Sequence, residues 1–228
     1  MDHRHRTTRR ALLALAAAST ATAVAPRLAA AAEPAYPLDE LSRRVPRRGP
    51  LKCPDVELVD YRGKHLRYTG LARVYEGFAE RLARMEQVAC EAGTAVYGRP
   101  PRRLQHMGTY ACRRISAYPT WLSEHALGNA IDLEGFDFGP VPRGEALPDD
   151  VPSVLRGYFS VRLARHWSGS RGYAKLHARF LRTFARRLIA RKDIFRVLLG
   201  PSYPGHHNHF HLDAAPWRIV DVFEDEPG

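Results

Sequence analysis

The chain has 228 residues, of which 35 are lysine or arginine and 24 are aspartate or glutamate, so its formal net charge is +11. This length fits one ordinary domain with short appendages and is sufficient to bury a substantial core. The basic charge is compatible with nucleic acid, anionic envelope polymers and carboxylate-rich substrates, and by itself it does not select among them.

Residues 1–32 have the features of a secretory signal peptide. Four arginines between positions 4 and 10 precede an alanine-rich apolar run, and Ala30-Ala31-Ala32 offers a cleavage site. The run is too short and too weakly hydrophobic for a membrane span. Thr8-Arg9-Arg10 also resembles a twin-arginine signal, so general secretion and twin-arginine export both stay open. The sequence thus predicts export to the periplasm or the extracellular cell envelope, no membrane span in the mature form, and no nucleic acid as partner.

Three cysteines, Cys53, Cys90 and Cys112, lie in the remaining chain. In an oxidising compartment this number predicts one disulfide and one free thiol. None of them has a Cys-x-x-Cys partner, so ligation of a metal by cysteine is not indicated. The spacing does not identify the pair.

The first half of the mature chain predicts a linker, a helix and a strand. Residues 33–50 are rich in proline and charge, which is typical of a linker, and the folded domain is expected over 51–228. Apolar residues recur with helical spacing over 71–92, and Gly93 follows as a stop signal. Residues 103–115 suit a strand or an irregular hairpin arm.

The second half mixes helical and strand patterns without a regular βαβ repeat. Helices are predicted at 153–167 and 173–192. Strands are predicted at 130–133, 195–199, 206–213 and 217–223. Together these elements predict an α+β fold.

Two segments carry ligand types suited to zinc. His125 and Asp132 lie seven residues apart with Gly128 between them, which allows a tight turn that brings a loop residue and a strand residue together. His211 would supply a third ligand from a separate strand. Three protein ligands leave the fourth tetrahedral position for water, which is the layout of a catalytic zinc site.

The alternation in the second segment predicts one strand face that carries His207, His209, His211 and Asp213. Because His209 shares this face with His211, it is also a candidate ligand, and four protein ligands would close the site. His209 could instead lie beside the water on the metal. Spacing alone does not separate these two arrangements.

The combined pattern resembles a known class of enzymes. Ser-x-His-x-x-Gly-x-Ala-x-Asp, followed by His-x-His, is similar to zinc peptidases that cut D-alanyl and related bonds of peptidoglycan, including D-Ala-D-Ala peptidases and lysostaphin-like endopeptidases. More narrowly, Tyr110-Ala-Cys112-Arg113, the segment 122–132, and the segment from Leu199 to Asp213 resemble the bacterial extensin-like C-terminal domain family. This resemblance covers roughly residues 51–217.

The resemblance implies a small, mainly antiparallel sheet that carries one zinc ion and packs against helices. It implies His125, Asp132 and His211 as the ligands and His209 as the catalytic imidazole. The D-Ala-D-Ala branch has a glutamate base shortly before its last ligand, and this chain has histidines there. The role of the base would therefore fall to His209, with His206 or His207 as auxiliary groups.

Two further residues are candidates for substrate binding. Arg113, or its neighbour Arg114, could bind a substrate carboxylate through a bidentate contact. Ser123 is a candidate for a substrate contact or for a hydrogen bond within the ligand loop. It is not expected to be a nucleophile, because no Ser-His-Asp arrangement surrounds it.

These features predict an exported zinc-dependent peptidase that hydrolyses peptidoglycan or another cell-wall substrate. One alternative is a non-catalytic envelope-binding module that keeps the peptidase-like fold and uses zinc structurally. Another is sequestration of several metal ions by the histidine cluster. The scissile bond and the oligomeric state stay open.

Overall fold

A computed structural model describes residues 36–224 of the chain. The predicted signal peptide, residues 1–32, lies outside this range. The described residues combine helices with β-sheet, so the predicted α+β class is confirmed. No helix in residues 36–224 has both the length and the hydropathy needed to cross a membrane.

The described residues form nine strands, three α-helices and three short 3-10 helices. The strands are β1 (Leu58–Tyr61), β2 (Arg67–Tyr68), β3 (Ala72–Tyr75), β4 (Arg103–Gly108), β5 (Ala130–Phe138), β6 (Phe159–Arg162), β7 (Val197–Leu199), β8 (Phe210–Asp213) and β9 (Ile219–Asp221). The α-helices are α1 (Glu76–Tyr97), α2 (Leu163–His166) and α3 (Gly172–Ala190). The 3-10 helices span Pro37–Glu40, Glu124–Leu127 and Ser153–Arg156.

The main sheet differs from the small, mainly antiparallel sheet that the resemblance implies. It has seven strands in the order β2-β4-β5-β8-β7-β9, and β6 pairs with β5. The pairs β2–β4 and β7–β9 are parallel, so the sheet is mixed. Helix α1 lies between β2 and β4 in the sequence and supplies the crossover that a parallel pair requires. Strands β1 and β3 form a separate antiparallel pair.

Strand β5 is the central element of the sheet and is longer than the predicted 130–133. Its first half, Ala130–Leu133, pairs with β8, and its second half, Gly135–Phe138, pairs with β6. Its other edge pairs with β4. Because β5 is held on both edges, it is a rigid support for any side chain that the site requires.

Helix α3 packs against this strand and confirms the predicted helix at 173–192. Its apolar residues, spaced by four, are buried as the pattern predicts. Phe180 and Phe184 lie edge-on to Phe136 of β5, with ring centroids 5.3 and 5.2 Å apart. Such aromatic pairs contribute about 0.5–1.5 kcal/mol each beyond the burial of their area. The helix layer thereby fixes the position of β5.

The predicted helix at 71–92 is displaced along the chain. Residues Ala72–Tyr75 form β3, and α1 spans Glu76–Tyr97. The helix does not stop at Gly93, where a Cβ atom would lie 2.8 Å from Cδ of Pro101, so the glycine permits close packing. It ends at Gly98, which adopts φ 71° in the left-handed region.

The predicted helix at 153–167 is wrong over most of its length. A 3-10 turn at Ser153–Arg156 is followed by strand β6, and only Leu163–His166 is α-helical. Within β6, Val161 is buried and Ser160 is exposed. This alternation suits pairing with β5. That tertiary contact outweighs the helical spacing of the apolar residues in this segment.

The segment assigned to a linker, residues 33–50, packs against the domain over its described part. Tyr36 and Leu38 belong to the hydrophobic core, and the guanidinium of Arg43 is buried. Apolar side chains are sparse in this stretch, so the pattern gave little sign of these contacts.

One disulfide joins Cys53 to Cys112, and Cys90 carries the free thiol. The number of bridges agrees with the sequence prediction, and the structure identifies the pair. The bridge spans 59 residues. It ties the chain that precedes β1 to the loop that leads towards Arg113.

Candidate metal centre

Three predicted ligand atoms converge on one point beside β5. Nε2 of His125 lies 3.1 Å from Oδ1 of Asp132 and 3.2 Å from Nδ1 of His211. Nδ1 of His211 lies 3.0 Å from the same carboxylate oxygen. In the described part of the chain, this is the group of histidine, cysteine and acidic residues whose geometry could hold a metal ion.

The outer hydrogen bonds of the two histidines fix their tautomers. Nδ1 of His125 lies 2.8 Å from the backbone carbonyl of Thr109, and Nε2 of His211 lies 2.8 Å from Oδ2 of Asp213. A carbonyl and a carboxylate only accept hydrogen bonds, so these ring nitrogens carry hydrogen. In the neutral form of each ring, the nitrogen that faces the centre therefore presents a lone pair.

With both rings neutral, two imidazole lone pairs and a carboxylate oxygen would meet at contact distance, an arrangement that a proton or a metal ion between them stabilises. The donor set of two nitrogens and one oxygen suits zinc. Zinc bonds of about 2.0–2.1 Å in a tetrahedron place neighbouring ligands about 3.3 Å apart. The observed separations of 3.0–3.2 Å are close to this value, so the residues fit such an ion.

The turn between the first two ligands depends on Gly128. His125 lies in the 3-10 helix Glu124–Leu127, and Gly128 follows with φ 60°, in the left-handed region. A Cβ atom at this glycine would lie 2.4 Å from Cδ2 of Leu58 and 2.8 Å from the backbone nitrogen of Tyr75. The position therefore needs glycine both for its backbone conformation and for its close contacts.

The other two ligands are cross-strand neighbours. Asp132 of β5 pairs with His211 of β8 in the antiparallel register. Directly opposed residues on one face of a sheet have Cβ atoms about 4.5–5.5 Å apart, which brings their side chains into contact. The register of β5 with β8 therefore determines this half of the site.

The charges at the centre shift the pKa values of its members. Burial acts to raise the pKa of Asp132, but hydrogen bonds and charge from His125 and His211 outweigh it and hold this pKa well below its ordinary value. Burial acts to lower the pKa of His211, but Asp132 and Asp213 outweigh it and raise this pKa to about 9. The centre thus attracts positive charge.

Residues 41–143 match the family model described as extensin-like protein C-terminus. The match supports the family resemblance found in the sequence, and it includes Arg113, His125 and Asp132 but ends before β8. It also begins within the predicted linker, residues 33–50. No curated protein and no solved structure matches the chain. The extensin-like match carries no information about zinc peptidases.

His209, the predicted catalytic imidazole, lies next to the three ligands. Its Nε2 is 3.6 Å from Oδ1 of Asp132, and its Nδ1 is 2.9 Å from Oδ1 of Asn208. Burial lowers the pKa of His209 to about 4, against the opposing charge of Asp132. The ring is therefore neutral near neutral pH, with hydrogen on Nδ1 and a lone pair on Nε2.

The two predicted auxiliary histidines have different surroundings. The ring of His206 lies 4.8 Å from that of His209 and 5.9 Å from that of His211, between centroids. His207 is exposed. The strand face predicted to carry His207 and His209 is therefore wrong, because β8 begins only at Phe210 and the preceding residues form a turn.

The two candidate arginines also differ in their contacts. Arg113 lines the cavity above the ligands, is 45% exposed, and has Nη2 3.9 Å from Oδ2 of Asp132. Arg114 instead donates to the carbonyls of Pro46 and Gly49. Of the two, Arg113 is thus the one available to a substrate.

Ser123 is buried and caps the 3-10 helix that carries His125. Its hydroxyl accepts a hydrogen bond of 3.4 Å from the backbone N–H of His125. Side-chain capping of this kind satisfies a donor that the first turn leaves unpaired. The structure therefore gives Ser123 a role in shaping the ligand loop, in addition to its place in the cavity wall.

The structure contains a buried polar network behind the ligands that the sequence did not predict. The carboxylate of Glu124 accepts from Nε and Nη2 of Arg43, at 2.8 and 3.2 Å, and from Nδ2 of Asn129. The hydroxyl of Tyr36 donates to Oδ1 of Asn129. Charged residues this deeply buried are paired as a rule, but the partner of Glu124 lies 81 positions away, so sequence spacing could not identify it.

Two of the three candidate ligands, Asp132 and His211, line a cavity of about 590 Å³. Much of its wall is apolar or aromatic. These lining residues are Ile115, Ala117, Tyr118, Trp121, Val197, Leu199, Tyr203, Trp217 and Ile219. Two polar lining residues, Arg113 and His209, lie within 4 Å of the carboxylate of Asp132. A concave apolar pocket with a few convergent polar groups is the usual form of a small-ligand site.

Proposed function

We propose that the protein is an exported zinc-dependent peptidase that hydrolyses peptide bonds of peptidoglycan. The main support for this proposal is the convergence of three potential ligand atoms, from His125, Asp132 and His211, beside an open cavity that Asp132 and His211 line. The substrate class is inferred from the resemblance of the sequence to zinc peptidases of peptidoglycan and from the predicted signal peptide. The disulfide Cys53–Cys112 is consistent with an oxidising compartment.

The residues around the centre hold the ligands in one orientation. The carbonyl of Thr109 and the carboxylate of Asp213 each accept from the outer N–H of a ligand histidine. Outer partners of this kind fix the tautomer and raise the basicity of the ligand. A zinc ion held there would lower the pKa of a water molecule to about 7 and polarise the scissile carbonyl.

His209 is the group suited to move the proton. Its Nδ1–H donates to Asn208, which leaves the Nε2 lone pair on the side of the ring that faces Asp132. A neutral imidazole in this position accepts a proton from water and returns it to the leaving amine. This role replaces the glutamate base found in the similar peptidases.

Substrate binding is divided between charge and apolar surface. Arg113 lies beside the ligands and is half-exposed, which suits a substrate carboxylate. Trp121 and Trp217 meet edge-to-face with ring centroids 5.5 Å apart and form an apolar wall. A short peptide with a terminal or side-chain carboxylate would therefore lie with its charged end at Arg113.

A non-catalytic zinc module is the second candidate. The observation that favours it is that the cavity's carboxylates already have partners. Glu124 is paired with Arg43, Asp132 faces the ligand histidines, and Asp213 accepts from His211. With no free carboxylate base in the described lining, hydrolysis depends on His209.

Hydrolysis of purified peptidoglycan tests this function. The mature protein, loaded with zinc, is incubated with sacculi, and released peptides are identified by mass spectrometry with and without a chelator. We expect His209→Ala to lower the rate about 10²–10⁴-fold, the usual contribution of a general base. His207→Ala is the matched control from the same loop and should keep the wild-type rate. If no peptide bond is cut, or if His209→Ala matches wild type, the proposal fails.

A further inference from the structure

A second cavity, of about 470 Å³, lies at the other end of β4 and β5 from the metal centre. Asp132 pairs with Gly108 at the metal end of these strands, and Asp137 pairs with Arg103 at the second cavity. Five residues separate the two rows along β5, which corresponds to about 16 Å at 3.3 Å per residue. The second cavity is therefore distinct from the proposed catalytic site.

Four residues that pair with one another in one row across four neighbouring strands form part of this cavity. Arg67 of β2 pairs with Arg103 of β4, which pairs with Asp137 of β5, which pairs with Ser160 of β6. Paired residues in a sheet project from the same face. The register thus gathers these four side chains on one surface, and Arg102 joins them in the cavity lining.

The row has an excess of positive charge. Asp137 already accepts from Nη2 of Arg162 at 2.7 Å and from the hydroxyl of Ser160 at 2.8 Å. The cavity's three arginines, Arg67, Arg102 and Arg103, are exposed. Within residues 36–224, no carboxylate lies within 4.0 Å of them to form an ion pair. Three guanidinium groups thus face solvent around a carboxylate that is already neutralised.

An exposed aromatic ring completes the lining. Tyr158 is 74% exposed, and its hydroxyl accepts a hydrogen bond of 3.2 Å from Nη1 of Arg102. Exposed tyrosine offers an apolar ring face beside a polar tip. Such a face packs well on the apolar face of a sugar ring, while neighbouring arginines bind carboxylate or phosphate oxygens.

We propose that this second cavity binds an acidic sugar unit of an anionic polysaccharide, with the three arginines holding its carboxylate or phosphate and Tyr158 packing on its ring. A concave site with one exposed aromatic suits a single sugar unit. Binding of single-stranded nucleic acid uses several aromatic rings that stack on successive bases. The site would hold the protein on an anionic envelope polymer, independently of the metal centre.

Binding of the mature protein to immobilised polymers tests this inference. The probes are polygalacturonate, which carries carboxylates, phosphorylated dextran, which carries phosphates, neutral dextran, and a single-stranded DNA oligomer. We expect binding to at least one acidic glycan and none to neutral dextran. Polygalacturonate binding alone assigns the site to carboxylates, and binding of phosphorylated dextran alone assigns it to phosphates.

A triple variant, Arg67→Gln with Arg102→Gln and Arg103→Gln, should weaken binding of the acidic glycan at least tenfold. The matched control removes the same charge from the exposed residues Arg47, Arg48 and Arg143 and should change binding less than twofold. Tyr158→Ala should weaken binding at least threefold. His211→Ala should leave it unchanged, because the metal centre takes no part.

Three outcomes would overturn the inference. The first is no binding to either acidic glycan. The second is an equal loss in the two triple variants, which would mean that net charge alone attracts the polymer. The third is tighter binding of DNA that depends on the cavity arginines. Thermal melting of each variant establishes that the exposed substitutions leave the fold intact.

Discussion

The Nε2 atom of His211 lies 2.8 Å from Oδ2 of Asp213, two positions further along β8. The second oxygen of this carboxylate accepts the backbone N–H of Ala215 at 2.9 Å. Asp213 therefore uses both oxygens and fixes the hydrogen of His211 on Nε2. In the neutral ring, which a metal ligand requires, Nδ1 then presents its lone pair to the centre.

Asp213→Asn should lower zinc affinity about 10–100-fold, the usual cost of losing an outer partner. An asparagine has one acceptor oxygen and cannot satisfy both N–H donors, so its amide group would face a donor. Competition titration with a chromophoric chelator measures the affinity. Asp149→Asn, at an exposed position, is the control. Wild-type affinity in Asp213→Asn would contradict the assigned tautomer.

Zinc binding should require each of the three proposed ligands. Wild type should bind one zinc ion per chain by elemental analysis, whereas His125→Ala, Asp132→Ala and His211→Ala should lose it. His207→Ala, at an exposed position in the same loop, should keep one ion. Zinc at 100 times its Kd should stabilise the wild type by about 2.7 kcal/mol. Several ions per chain would instead favour metal sequestration.

The ion pair between Arg43 and Glu124 should contribute strongly to stability. Both side chains are at most 3% exposed, so Arg43→Met would leave a buried carboxylate without its cation. We expect a loss of about 3–5 kcal/mol in the free energy of unfolding, measured by urea denaturation. The exposed pair of Arg187 with Glu91 is the matched control, and Arg187→Met should cost less than about 1 kcal/mol. Equal losses would refute this role.

Acid should destabilise the protein in part through His177 of α3. This ring is buried, and its Nδ1 lies 2.8 Å from the hydroxyl of Tyr97. Burial, assisted by the nearby His166, lowers the pKa of His177 from 6.5 to about 4. Between pH 4 and 6.5, this histidine binds a proton more readily in the unfolded chain than in the folded protein. The free energy of unfolding therefore falls as the pH decreases through this range.

His177→Leu should therefore reduce the dependence of unfolding free energy on pH between 4 and 6.5, by at most about 1.4 kcal/mol per pH unit. Urea denaturation at several pH values measures the slope. His65→Ala, at an exposed position, provides the control. An unchanged slope in His177→Leu would mean that this histidine does not couple to folding.

The three candidate ligands could be predicted because Gly128 signals a turn between His125 and Asp132 and because the family resemblance selects His211 as the third ligand. Strand alternation alone left His209 open as a further ligand. It also placed His207 on the face of His211, which is wrong because the chain preceding Phe210 turns instead of continuing the strand. Strand periodicity does not reveal where pairing begins, since this depends on the partner strand.

Long-range packing explains most of what the sequence did not indicate. Glycine often marks the end of a helix, but Gly93 lies within α1. Its lack of a side chain leaves room for Pro101, which packs close to the helix at this point. The basic row of the second cavity depends on the register of four strands, which no local pattern encodes. The buried partner of Glu124 comes from the segment before the predicted domain.

The coordination of zinc in the mature protein tests the account most directly. A crystal structure of the zinc-loaded protein should contain one ion bound by Nε2 of His125, a carboxylate oxygen of Asp132 and Nδ1 of His211, with a water molecule as the fourth ligand. Nε2 of His209 should lie within hydrogen-bond distance of this water. If His209 is itself the fourth ligand, or if the ion binds elsewhere, the proposed catalytic site is contradicted.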